Sequence, residues 1–276
     1  VTAPPFAYYG GKTRLAKQIA EHFPQHGHYV EPFAGSLAVL LAKPRAGMET
    51  VNDLDGDIMT FWRVLREQPA ELMRAAALTP HSRTEHRAAE IRPHDLTDLE
   101  RARRVWVQLT QGRGGTLRTT GWRHYLSSAS SPSTSFPDYL TGYVDRMAAA
   151  AERLIGVSLE CRPALEVIAA YGQHEDVLLY VDPPYLGTTR SSRQYQVEMS
   201  REHEHRQLAD ALLECRASVV LSGYASPLYD ELYRAWHVTR INTTTGQSSG
   251  SGERTEVLWP NRLPQPTLFS DHGAAS

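Results

Sequence analysis

A short uninterrupted apolar run, Val177-Leu178-Leu179-Tyr180-Val181, lies in the central part of the chain. A run this short, rich in large and β-branched residues, predicts a strand buried on both faces of a parallel sheet. It stops abruptly at Asp182-Pro183-Pro184-Tyr185. Proline cannot donate to a sheet ladder and pushes the preceding residue into extended geometry, so the strand must end at Asp182. Similar strand-length segments occur around residues 28–31, 49–52, 157–160 and 218–222. Helix-length segments lie between them, at 14–22, 38–42, 57–67, 139–154, 163–171, 204–216 and 227–234. Strands alternating with helices predict an α/β fold with a mostly parallel sheet, whose ligands bind at the carboxyl ends of the strands. The last two segments, 237–242 and 256–259, are joined only by the polar stretch 243–252 and predict a closing antiparallel pair.

The alternation is interrupted after residue 68. Residues 71–78, 85–91 and 96–109 read as helices separated by polar loops. Residues 101–137 contain no Asp or Glu, but carry Arg101, Arg103, Arg104, Arg113, Arg118 and Arg123 among Trp106, Trp122, His124 and Tyr125. The net charge of the whole chain is only −2, with a pI near 6.7, so any nucleic-acid contact must be local. An acid-free segment of arginines and aromatics predicts such contact with phosphates and bases. The serine-rich stretch 127–135 reads as a flexible linker.

The remaining composition narrows the picture further. Lys12, Lys17 and Lys43 are the only lysines. Cys161 and Cys215 are the only cysteines, spaced neither for a metal nor for a redox pair, and are expected to be buried thiols in a reducing compartment. No apolar run approaches the roughly 20 residues of a membrane span, and the N-terminus has no signal-peptide pattern. The expectation is a soluble cytoplasmic protein with no membrane partner and no metal. His203 and His205, at the start of a helix, are expected to be a cap and a surface group rather than a metal pair.

Candidate chemistry clusters at three further points. Tyr8-Tyr9-Gly10-Gly11-Lys12-Thr13 allows close backbone approach to a ligand, and Thr13 is placed to cap the following helix. The segment lacks the spacing of a Walker loop; on these residues alone Lys12 reads as a solvated lysine after a glycine turn. Glu31-Pro32-Phe33-Ala34-Gly35-Ser36 reads as a strand, a tight turn and a helix start, the logic of a nucleoside-binding unit. It lacks the dinucleotide fingerprint. Asn52-Asp53-Leu54-Asp55 follows about 20 residues later, as a ribose-binding acid would, with Asp55 as a helix cap. Residues 186–195, which include Arg190 and Arg193, have the composition of a substrate-covering loop.

The order of these motifs resembles the Dam-type class of N6-adenine DNA methyltransferases. Further matches are Leu221-Ser222-Gly223-Tyr224, Leu228-Tyr229 and Glu256-Val257-Leu258-Trp259, and the similarity spans residues 6–261. The resemblance implies a Rossmann-like, mostly parallel seven-stranded sheet with a terminal antiparallel hairpin. It implies a discontinuous catalytic domain, 1–68 and 138–262, an inserted helical target-recognition domain, 69–137, and a flexible tail, 263–276. It implies S-adenosyl-L-methionine as cofactor and double-stranded DNA as partner, with a monomer or weak dimer expected, in a bacterial or phage-infected cell. Tyr8, Gly10, Lys12, Glu31, Phe33, Gly35 and Asp53 would hold the cofactor. Asp182, Pro183, Pro184 and Tyr185 would grip the target adenine. Arg113, Arg118, Arg123, Arg190 and Arg193 would contact DNA. Where the family often has an acid for the cofactor's adenine, this chain has Cys161-Arg162-Pro163-Ala164. The clamp by itself also suits other planar amines, namely cytosine N4, RNA adenine or a protein glutamine, and a non-catalytic DNA-binding relative is a further alternative.

Overall fold

The computed structural model describes residues 2–124, 136–185, 199, 201–242 and 255–264. Its centre is one sheet of seven strands: β1 (His28–Glu31), β2 (Met48–Asn52), β3 (Val157–Glu160), β4 (Val177–Val181), β5 (Ser218–Gly223), β6 (Thr239–Asn242) and β7 (Thr255–Pro260). Their spatial order is β3-β2-β1-β4-β5-β7-β6. Strands β1 to β5 pair in parallel, and β7 runs antiparallel to both β5 and β6. The expected architecture, terminal hairpin included, is therefore present. The strand order reverses between β1 and β4, and at such a switch point the carboxyl ends open a crevice for ligands.

The sheet is covered on both faces, which is why β4 tolerates no polar position. Leu178 and Tyr180 pack into one core, whereas Val177, Leu179 and Val181 pack into the other. The first core is built with α1 (Ala16–Glu21), α2 (Ala38–Ala42), α3 (Gly56–Glu67), α4 (Pro69–Ala77), α5 (Arg83–Ala89), α6 (Asp98–Gln111) and α7 (Phe136–Leu154). The second is built with α8 (Ala164–Tyr171), α9 (Glu202–Leu213) and α10 (Pro227–Leu232). Several helix starts follow from local chemistry. Asp55, Ser82, Thr97 and Ser226 each accept hydrogen bonds from backbone N–H groups of the first turn they precede.

The helices of the inserted segment share the first core with the sheet. Ala102, Val105, Trp106 and Leu109 of α6 pack in the same apolar cluster as Phe61 and Trp62 of α3. Trp106 is fully buried, and its indole N–H donates to the carbonyl of Pro5 at 2.9 Å. The insertion is thereby pinned to the segment that leads into Tyr8-Tyr9-Gly10.

Four local expectations need correction. Helix α1 begins at Ala16 after turns, with Leu15 at its N-cap, and no side chain caps it, so Thr13 does not have that role. His205 is buried, not superficial, because its two ring nitrogens are satisfied by the Tyr229 hydroxyl at 2.9 Å and the Met199 carbonyl at 2.8 Å. His203 is exposed, and Arg201 occupies the cap position. Cys161 is exposed and Cys215 half-buried, since both lie at element ends rather than within the packed cores. Among the described residues, no helix is long and apolar enough to cross a membrane and no group of three or more ligands could hold a metal.

Trp106→Ala should lower stability by about 3–5 kcal/mol, the cost of a large cavity in a shared core. Urea denaturation measures it; a loss below about 1 kcal/mol would mean that the insertion contributes little to the common core.

Candidate active site

The site is built first from the ends of β1 and β2. The turn after β1 brings Gly35 to a φ of +45°, and a Cβ there would lie 2.8 Å from the Tyr8 ring. Only glycine permits that approach. The turn is held from three sides. The N–H of Gly35 donates to Asp53 Oδ2 at 2.8 Å, its carbonyl accepts from the Trp62 indole at 2.9 Å, and Leu37 adopts a left-handed conformation at the start of α2. A branched aliphatic residue at positive φ is strained, and such strain concentrates at functional sites. Asn52 ties neighbouring strand ends together. Its amide donates to the carbonyls of Pro32 and Arg162 at 2.9 and 3.0 Å and accepts from the Arg162 N–H at 2.9 Å.

These elements enclose one cavity. Tyr8, Gly10, Lys12, Glu31, Phe33, Gly35 and Asp53 line it, and so do Asp182 and Pro184. Pro183 and Tyr185 are buried beside it. Burial pushes the Glu31 carboxyl up to about 8, and its Oε2 has no hydrogen-bond partner. Burial likewise pushes Asp53 up to about 6, against the backbone N–H groups of Asp55 and Gly35 that it accepts. Both are therefore poised for a cationic or hydroxyl-bearing ligand.

The second half is a cluster around Lys12. Its ammonium donates to both oxygens of Asp182, at 2.7 and 2.8 Å, to the Gly10 carbonyl at 3.3 Å and to the Tyr185 hydroxyl. Glu256 Oε1 lies 3.4 Å away and accepts from the Ser222 hydroxyl at 2.5 Å. Lys12 is only 5% exposed, so the reading of a solvated lysine fails: the chain folds it inward onto Asp182. Burial opposes its charge, but Asp182 and Glu256 outweigh burial and raise its pKa. Burial pushes the Asp182 and Glu256 carboxyls up, and Lys12 pulls both back. The Tyr185 ring lies against Tyr224, centroids 4.5 Å apart.

Sequence reasoning did not single out Glu256, Ser222, Asn52 or Trp62 as site residues. Asn52 and Glu256 carried a usable signal: Asn52 is a polar residue where β2 ends, and Glu256 is a carboxylate directly before the apolar run Val257-Leu258-Trp259. Helix α9 and its approach contribute Met199, Glu204, Gln207 and Leu208 to the cavity wall, and no local motif marks them. At the position of the missing acid, Pro163, Ala164 and Leu165 line the cavity together with Leu54.

The arginines divide into two groups. Arg101 pairs with Asp57 at 2.8 Å, Arg103 with Glu85 and Glu100, and Arg104 with Glu100 at 2.7 Å. Arg101 and Arg103 thereby join α6 to α3 and α5, and Arg104 also donates to the carbonyls of Ala88 and Ile91. Arg113 is exposed on a short hairpin where Gly112 bridges Trp122. Arg118 is half-buried, and Arg123 donates to the Tyr139 hydroxyl at 2.6 Å. Arg190 and Arg193 lie outside the described residues.

Lys12→Met should leave two buried carboxylates without their cation, at a cost of about 3–5 kcal/mol. Their carboxyls would then have pKa values above those of the unfolded chain. The loss should thus be full at about pH 8 and shrink towards about pH 5 as they take up protons. Urea denaturation at both pH values checks this; equal losses at both would contradict it.

Comparison with known proteins gives the cavity its context. A family model described as D12 class N6 adenine-specific DNA methyltransferase matches residues 8–92 and 140–247. The Type II methyltransferase M1.LlaDCHI of Lactococcus lactis subsp. cremoris is 24% identical over 272 residues, covering 91% of this chain and 93% of the relative. The Retron Ec67 DNA adenine methylase of Escherichia coli is 27% identical over 263 residues, covering 90% and 88%. A DNA adenine methylase of Vibrio cholerae is 23% identical over 264 residues, covering 90% and 92%. The matched segments contain the glycine turn, the acidic strand end and the Asp182 clamp. The chain therefore belongs to the D12 class of N6 adenine-specific DNA methyltransferases.

Proposed function

We propose that the cavity binds S-adenosyl-L-methionine and that Asp182, Pro183 and Tyr185 receive an adenine swung out of double-stranded DNA. The observation that carries this reading is that Asp182 opens onto the same cavity as Glu31, Gly35 and Asp53. The unpartnered Glu31 Oε2 suits the cationic amino-acid end of such a cofactor, Asp53 suits its ribose hydroxyls, and Pro163, Leu165 and Leu54 suit the flat face of its base. Tyr8, Gly10 and Phe33 complete the walls. When bound, the cofactor supplies an electrophilic methyl group on a sulfonium.

The residues of the chain then face a specific difficulty. The lone pair of adenine N6 is delocalised into the ring, so the amine is a poor nucleophile. The Asp182 carboxylate and the Pro183 carbonyl can each accept one amine hydrogen. That arrangement favours a tetrahedral nitrogen with its lone pair directed at the methyl group. Catalysis is positioning and electrostatics, with no covalent enzyme intermediate. The two prolines keep the acceptors rigid, so little reorganisation is needed at the moment of transfer. After attack the nitrogen is cationic and can pass a proton to Asp182. Within a duplex the amine is out of reach, so the base must be flipped, at a few kcal/mol, and stacked on Tyr185.

Residues 69–137 are the DNA-contacting part, between catalytic segments 1–68 and 138–262. Two observations support this for residues 93–139: the family match stops at residue 92 and resumes at 140, and Arg113 is exposed on a hairpin there. Arg118, Arg123, Arg190 and Arg193 are the further candidates. The reaction belongs where the cofactor and DNA meet, in the cytoplasm of a bacterial or phage-infected cell.

Asp182→Ala should reduce methyl incorporation into DNA by about a thousandfold or more, as loss of a preorganised acceptor does. Labelled cofactor and sequencing of methylated adenines in DNA from expressing cells read this out and map the site. Unchanged adenine methylation would overturn the mechanism. Arg113→Ala should weaken DNA binding similarly across sequences and reduce the salt slope of log affinity by about 1. Titrations at several salt concentrations test it, and an unaltered slope would remove Arg113 from the interface.

A further inference from the structure

Lys12 occupies the place that the adenine needs. Its ammonium holds both oxygens of Asp182 and also reaches the Tyr185 hydroxyl. A nitrogen carrying several N–H donors satisfies this clamp much as a substrate amine would. When an amine hydrogen takes an Asp182 oxygen, the ammonium must give way. It cannot simply be released, because a buried cation without a partner is strongly unfavourable.

A second carboxylate is already in place. Glu256 is 3% exposed, and its Oε1 lies 3.4 Å from the Lys12 Nζ. A movement of roughly half an ångström brings the two to hydrogen-bond length, well within the freedom of a lysine stem. Ser222 holds that oxygen by donating to it, so the acceptor is aimed before it is needed. Both residues reach the site through the sheet. Ser222 is paired with Leu258 across β5 and β7, and the antiparallel course of β7 puts its first residues at the carboxyl edge of the parallel strands. The transfer chemistry derived above makes no use of Glu256.

We propose that Glu256 is a positioning residue that takes over the Lys12 ammonium when the target adenine displaces it from Asp182, Lys12 being a placeholder for the substrate amine in the empty clamp. The proposal rests on the reading of Asp182 as the amine acceptor. With one carboxylate on either side, Lys12 remains charged and paired in both positions. Without Glu256 the ammonium has, among the described residues, Asp182 as its one carboxylate partner and competes with the substrate for it.

Because the chain has only three lysines, selective [13Cε]lysine labelling resolves Lys12 by NMR. The probes are a duplex carrying the site mapped by methylation sequencing, and the same duplex with purine, which lacks the 6-amine, at the target. The Lys12 signal should move with the adenine duplex and much less with the purine duplex. Glu256→Gln, which keeps an acceptor for Ser222, should slow single-turnover methylation about tenfold or more while the DNA Kd stays within about twofold, and Glu256→Asp should recover part of the rate. A Lys12 signal indifferent to the adenine duplex, or a wild-type rate in Glu256→Gln, overturns the proposal. If Glu256→Gln does not fold, the wild-type lysine signal decides. Failure of the underlying reading looks different: Asp182→Ala would then retain methylation. An inactive Asp182→Ala beside a fully active Glu256→Gln refutes this proposal alone.

Discussion

One buried ammonium organises the active site. Lys12 comes from a loop before the first helix, Asp182 from the end of β4, and Glu256 from the start of β7. Lys12 supplies the cation that both carboxylates need, because an unpaired ion in a low-dielectric interior costs several kcal/mol. The N-terminal strap, the central strand and the terminal hairpin are thus tied into one electrostatic unit. This is also why the reversed β7 matters to function: a parallel strand there would present its other end to the cavity.

The same constraint recurs away from the site. Lys43 and Arg153 converge on Glu49, at 2.7 and 2.5 Å, with all three side chains largely buried. Arg92 and Arg101 converge on Asp57 at 2.6 and 2.8 Å. A positive charge carried almost wholly by arginine therefore says less about DNA than its numbers suggest. Guanidinium groups bridge several acceptors at once, which suits them to joining helices as well as to gripping phosphates.

The inserted helical segment is linked to catalysis by contact with the strap. Besides the bond from Trp106 to Pro5, the Tyr9 N–H donates to the Gly115 carbonyl at 2.7 Å. Gly115 has a φ of +62°, and a Cβ there would lie 3.0 Å from the backbone of Ala7. The hairpin that bears Arg113 thus rests directly on the segment that bears Lys12. Contacts made by one are mechanically close to the clamp held by the other.

Local sequence determined the strand ends and the turns. The double proline after Val181 had to stop β4 at Asp182, the glycine at position 35 had to allow a close turn, and Asp55 had to cap α3. The closing antiparallel pair was legible because no helix separates its strands. What the sequence could not disclose is which charges meet. On the residues alone Lys12 reads as a solvated lysine, and Glu256 as part of a strand motif with no partner assigned to its charge. Arg101, Arg103 and Arg104 read as nucleic-acid contacts, whereas the fold spends them on Asp57, Glu85 and Glu100. His205 similarly became a core residue once α9 packed against α10. Propensity, capping and turn chemistry act over a few residues and can be read along the chain. Burial and charge pairing act between segments as far apart as positions 12, 182 and 256, so only the tertiary structure decides them.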